Sequence, residues 1–266
     1  MDSRQFQVRG FTLIELIGVM AIVAIMASVI APRMFDDLKR ARRDKETTSL
    51  ANLGSLLRDY ILDTKHIPAP SVSSWTTALA SVANLPTSRI EFNDRGFRRG
   101  YYVDPRFFTT SDTNFSGYTQ QGGLVNPPVS ARIMLVSVMT GNAPAAPNNS
   151  ATFDAIWNQT SAATLIEGPD IKIERVNMQT SFHRVILTNG LGSQVSYQLE
   201  NGSSYAVPAA SGGMDGMATR YVLARTRVNL FDQPFPGGQL ARVLIADSDK
   251  AYAYRDDGAG WTWATP

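Results

Sequence analysis

The sequence predicts an α+β fold: a long N-terminal hydrophobic helix carrying a β-rich, antiparallel C-terminal head, in lollipop outline. Three observations carry this. From Phe11 to Ala31 the chain runs 21 residues with Glu15 as its only charge. Beyond Pro32, Leu38 and Ala41, then Leu50, Leu53, Leu57, Tyr60 and Ile61 recur at helical spacing. From about Tyr101 the pattern shifts to short β-type runs separated by turn residues. The 266 residues suffice for a sizeable core. A net charge of +2 supplies no field to argue for nucleic acid or acidic substrates. The absence of cysteine removes disulfides, thiolate metal sites and cysteine nucleophiles.

The first element is the apolar run. As a helix rising about 1.5 Å per residue it spans about 31 Å, close to the ~30 Å hydrocarbon thickness of a bilayer. It is longer than the ~7–15 residues of a secretory signal core, and Pro32 would follow any small-residue cleavage site drawn at its end. A plain membrane anchor explains the length but leaves Glu15 unexplained. A carboxylate within the bilayer costs about 2.5–3.5 kcal/mol on insertion scales and is by default functional.

The string Gly10-Phe11-Thr12-Leu13-Ile14-Glu15-Leu16, followed by this run, resembles the type IV prepilin (class III) signal. The resemblance implies a short polar leader, residues 1–10, removed by prepilin peptidase after Gly10, and N-methylation of the new terminal residue, Phe11. Glu15 then becomes the fifth mature residue, where the family keeps a glutamate that meets the terminal amine of a neighbouring subunit and sets assembly register. A lone carboxylate and a lone ammonium are each costly in an apolar bundle and neutralise one another when paired. Pro32 stands where many family members have a helix-breaking proline. The basic residues oppose the family's topology. Arg4 and Arg9 precede the span, whereas Arg33, Lys39, Arg40, Arg42, Arg43 and Lys45 follow it. By the positive-inside rule the C-terminal flank should stay cytoplasmic; the resemblance places it outside.

The remaining elements follow in order. Residues 11–31 form the transmembrane or filament-core helix and 32–64 its amphipathic second half. Within the latter, Lys39–Glu46 (KRARRDKE) reads as a solvated face, or as a subunit or assembly-platform contact. His66-Ile67-Pro68 ends the helix. The stretch LLRDYILDTKHIP resembles the close of the long helix in secretion pseudopilins. Residues 65–266 form the head. Trp75–Ala83 reads as a second helix capped by Ser73 or Ser74. Tyr101–Val103, Arg132–Val138 and Ile171–Val176 read as strands. Arg184–Leu187, Val195–Leu199 and Tyr205–Val207 read as successive hairpins with turns at Asn189-Gly190 and Asn201-Gly202. Tyr221–Leu230, Ala241–Ala246, Ala251–Tyr254 and Trp261–Trp263 read as a closing antiparallel meander. Thr140–Ala151 and Ala209–Ala218 read as mobile loops.

Motifs of catalysis are missing: there is no GxSxG, P-loop or HExxH, and the two histidines, His66 and His183, lie far apart. No enzyme activity and no cofactor are expected. Asp247, Asp249, Asp256 and Asp257 near the C-terminus carry hard oxygens of the kind calcium takes, and they are equally what tight turns use. Tyr252, Tyr254, Trp261 and Trp263 read as a packed cross-strand set rather than a ligand platform. Ala24/Ser28 and Ala27/Ala31 are small-residue pairs that permit close helix approach.

The resemblance implies a pseudopilin of a type II secretion system. Such a subunit sits in the bacterial inner membrane with its head in the periplasm and assembles with other pseudopilins on an inner-membrane platform into a pseudopilus that helps drive export. The alternative is a minor type IV pilin acting in adhesion, motility or DNA uptake; the lack of cysteine leans towards the pseudopilin.

Overall fold

The computed structural model describes residues 12–107, 117–234, 237–255 and 260–264. It divides into two units, Met1–Lys45 and Glu46–Pro266. Helix α1 (Leu13–Thr64) contributes to both.

In the first unit α1 is apolar on all sides from Leu16 to Ala31 and charged beyond Pro32, and the described large apolar side chains from Leu13 to Leu38 are 48–79% exposed. A helix apolar all round belongs in a bundle or a bilayer. It contains an 18-residue window apolar enough to cross a membrane by length and composition, none of it buried.

In the second unit α1 becomes one-sided. Leu50, Leu53, Leu57 and Ile61 face a core, and the helix ends at Lys65, whose φ of 57° turns the chain out of it. There follow β1 (His66–Ile67), α2 (Val72–Ala83), α3 (Thr87–Glu91), β2 (Gly100–Val103), β3 (Tyr118–Thr119), β4 (Arg132–Val138), α4 (Ser150–Asn158) and β5 (Ile171–Asn177). Strands β2, β4 and β5 form an antiparallel sheet in that order. Successive strand residues point to opposite faces, so this sheet serves two cores. Tyr101, Val103, Ile133 and Leu135 pack with the α1 residues, while Tyr102, Met134, Val136 and Ile173 pack with Phe153 and Ile156 of α4. Trp75 of α2 stacks on Tyr101 with centroids 5.6 Å apart.

The rest is a two-sheet sandwich. Its strands are β6 (Phe182–Asn189), β7 (Val195–Leu199), β8 (Ser204–Val207), β9 (Gly216–Leu223), β10 (Thr226–Phe231), β11 (Leu240–Ala246), β12 (Lys250–Arg255) and β13 (Gly260–Ala264). One sheet runs β13-β12-β6-β9, the other β11-β10-β7-β8. A shared core joins Val185, Leu187, Val222 and Trp261 of the first with Tyr197, Leu199, Leu230 and Leu244 of the second.

Several expectations need correction. The closing strands are not one antiparallel meander: β12 runs parallel to β6, and the chain changes sheets between β6 and β7, β8 and β9, β9 and β10, and β11 and β12. Asn189-Gly190 is therefore not a hairpin turn. The buried Asn189 side chain bonds Ser193 O and Pro208 O, and Gly190 N donates to Tyr254 O, which sends the strand away. Tyr221–Leu230 is two strands. Arg225, at φ 63°, makes the corner between them, held by Arg225 N to Ala246 O and Ala224 N to Ser181 O. Asn201-Gly202 does lie in the β7–β8 hairpin.

Helix α2 starts earlier than expected, with Ser71 at its N-cap. Ser71 O takes the amides of Ser74 and Trp75, so neither Ser73 nor Ser74 caps it. The expected loops are shortened by structure at their ends: Ser150 opens α4 and Gly216 opens β9. Helices α3 and α4 are additional to the elements the sequence predicts. Helix α4 is capped by Asn149, whose side chain accepts from Thr152 N at 2.8 Å.

Candidate assembly site

Gly10 and Phe11, expected to flank the processing point, lie outside the described residues. The site begins at Thr12, directly before α1. Thr12 N and Oγ1 donate to Glu15 Oε2 at 3.2 and 3.1 Å, and Glu15 N donates to Thr12 Oγ1 at 3.3 Å. This reciprocal pattern is a capping box: it satisfies orphan amides of the first turn and sets a carboxylate against the positive end of the helix dipole. Glu15 is exposed. Sequence reasoning found Glu15 and missed Thr12, although Thr-x-x-Glu ahead of an apolar run is the signature of this cap.

Above the cap the helix is lined with small residues. Gly18 has open space around the position of a Cβ. Ser28 Oγ turns inward to donate to Ile25 O at 2.7 Å, so its hydroxyl is internally satisfied. Pro32 lies inside α1 and cannot supply the amide that Ser28 O would otherwise receive. The surface from Leu13 to Ala31 is thus apolar with small-residue gaps and a single acid at its N-terminal end.

Glu46, assigned by its sequence run to a solvated face, is buried instead. Its carboxylate takes Arg99 Nε and Nη2 at 2.7 and 2.9 Å, both side chains being 3–4% exposed. Arg99 Nη1 also donates to Arg89 O, Ile90 O and Phe92 O, at 2.9, 3.0 and 2.8 Å. The run KRARRDKE lacks any pattern that marks its last residue as inward; the signal is the arginine 53 residues later. A second network centres on fully buried Asp104, which Arg132 and Arg106 both contact while also holding Asp154. Arg132 lies over the rings of Phe153 and Trp157, 5.3 and 5.2 Å from their centroids, tying α4 to its sheet.

The calcium candidates do not converge where the structure describes them. Asp247 pairs with Lys250 at 2.9 Å, and Asp249 accepts from Arg184 N at 2.8 Å. Asp256 and Asp257 lie outside the described residues. The aromatics form the expected cross-strand pairs: Tyr252 opposite Trp263 and Tyr254 opposite Trp261, each pair with centroids 5.3 Å apart. His66 Nδ1 lies 2.8 Å from Thr119 Oγ1, and His183 sits half-buried in β6 opposite Val222.

Residues 6–31 match the family described as the prokaryotic N-terminal methylation motif. Curated relatives carry the name type II secretion system core protein G. Those from Escherichia coli K12, Klebsiella michiganensis and Pectobacterium carotovorum are 28%, 31% and 33% identical over 97, 102 and 100 residues. These matches cover 36%, 38% and 38% of this chain and 66%, 70% and 63% of the relatives. The chain belongs to the pseudopilin family. Members are structural subunits rather than enzymes, and this pseudopilin spans about two thirds of the length of the relatives it matches. The larger part of the pseudopilin lies outside each match.

Proposed function

We propose that this pseudopilin is a type II secretion filament subunit. Prepilin peptidase would cut it after Gly10 and methylate Phe11. The α1 span would hold it in the bacterial inner membrane with the second unit in the periplasm. It would then join other pseudopilins, on an inner-membrane platform, in a pseudopilus that helps drive export. The observation that carries the reading is one carboxylate, Glu15, on the first turn of a helix whose apolar surface is exposed on every side. Burying that surface against neighbouring helices drives assembly, and the acid selects the register at which a neighbour's terminal ammonium meets it.

The capping box offers Glu15 a second role within its own chain, and substitution separates the two. Glu15→Gln keeps an acceptor suited to capping Thr12 but removes the charge. We expect Glu15→Gln, like Glu15→Ala, to be processed and to fail to enter filaments, read by crosslinking in cells. Normal incorporation of Glu15→Gln would assign the residue to capping and refute the register role.

A further inference from the structure

We propose that the α1 segment from Arg33 to Lys45 is a docking surface for anionic phospholipid headgroups. The inference rests on the reading of α1 as a membrane span. Exposed large apolar side chains continue past Pro32 through Met34, Phe35 and Leu38, which are 59%, 63% and 52% exposed. From Leu13 to Leu38 the helix is about 39 Å long at ~1.5 Å per residue, about 9 Å beyond the hydrocarbon and close to the ~40–45 Å of a bilayer with its headgroups. With Leu13 at one edge of the hydrocarbon, Met34, Phe35 and Leu38 fall at headgroup depth on the other side.

Positive charge gathers where that apolar surface ends. Arg33, Lys39, Arg40, Arg42, Arg43 and Lys45 outnumber Asp36, Asp37 and Asp44 by three. The exposed pair Lys39–Asp36 is loose, at 3.8 Å. Helix side chains lean towards the N-terminus, so the long stems of Lys39, Arg40 and Arg42 reach back towards the phosphates while their heads stay wet. A juxtamembrane basic cluster of this kind is attracted to anionic lipid. A second copy would present the same positive excess, which disfavours it as the occupant. The proposal also gives the basic flank a use independent of topology.

The full chain reconstituted in phosphatidylcholine vesicles tests this, with spin-labelled phosphatidylglycerol or phosphatidylcholine as the probe. The ratio of the two lipids' association constants at the protein surface is read from the motionally restricted signal. We expect a preference for phosphatidylglycerol of about fivefold, the scale of one juxtamembrane contact. It should fall towards one at high salt and in the triple variant Lys39→Gln, Arg40→Gln, Arg42→Gln, which leaves the span untouched. A restricted signal with a ratio near one in the native chain would overturn the proposal while leaving the span intact. If the chain also self-associated in a salt-dependent way, the basic residues would belong to a protein contact. No restricted lipid at all would overturn the membrane reading together with the proposal.

Discussion

Glu46 and Arg99 form a fully desolvated pair, and its worth depends on both members being present. Removing one partner of a buried ion pair costs about 3–5 kcal/mol, because the other charge is left uncompensated, whereas replacing both with apolar residues costs far less. Arg99→Met should lower the denaturant midpoint of the second unit sharply, and Glu46→Leu combined with Arg99→Met should recover much of the loss. A double variant no better than the single one would show that the Arg99 bonds to Arg89 O, Ile90 O and Phe92 O matter more than the pairing. Asp154 belongs to the other network. Burial pushes its pKa up, but the hydrogen bond and charge of Arg132, and then those of Arg106, outweigh burial and hold it below the usual carboxylate value. A depressed carboxylate contributes stability that is present above its unfolded pKa of about 3.9 and is lost as pH falls through the folded value. Asp154→Asn should therefore be less stable than the native chain at neutral pH and show a weaker loss below about pH 4, measured by thermal unfolding across pH.

Elements differ in how plainly the sequence announces them. The apolar half of α1 is legible because one charge in 21 residues leaves no competing pattern. Strand β4 is legible because Ile133–Val136 is an unbroken apolar run, and β5 because the β-branched Ile171, Ile173 and Val176 are interleaved with charged residues over a short stretch. Helix α4 is hidden behind a Pro- and Asn-rich stretch, and its first turn reads as loop until Asn149 is recognised as a cap. The split between β9 and β10 is hidden for the opposite reason: the corner is made by Ala224 and Arg225, with no Gly or Pro, and the left-handed Arg225 is held by bonds to distant strands. Glycine makes the opposite demand at the start of β9. A Cβ on Gly216 would lie 2.0 Å from Pro208 O, a backbone atom that cannot swing aside. Gly216→Ala should destabilise the sandwich by at least about 2 kcal/mol, within the range of backbone and overpacking defects. An unchanged melting temperature would mean that the Pro208–Gly216 loop adjusts freely.

At the scale of the molecule, the composition of the head is readable as β-rich, but its division into sheets is not. Periodicity fixes which face of a strand is buried and is silent on which strands pair; the parallel β6–β12 pairing joins strands far apart in sequence, and at its end the Asn189 side chain bonds Ser193 O and Pro208 O where the chain leaves for the other sheet. The Glu46–Pro266 unit carries its own cores. A chain starting at Arg43 should fold cooperatively, while one starting at Leu50, which strands Arg99 without Glu46, should unfold at markedly lower denaturant; equal midpoints would contradict the importance of the pair. The processing and assembly role proposed for the first unit rests instead on Gly10, Phe11 and Glu15. The most direct test is the N-terminal sequence and intact mass of the protein extracted from membranes of cells with active prepilin peptidase. The account predicts a chain beginning at N-methylated Phe11, and its loss when Gly10 is replaced by a bulkier residue. A chain still beginning at Met1 would contradict it and leave α1 as a plain anchor with no place in a filament.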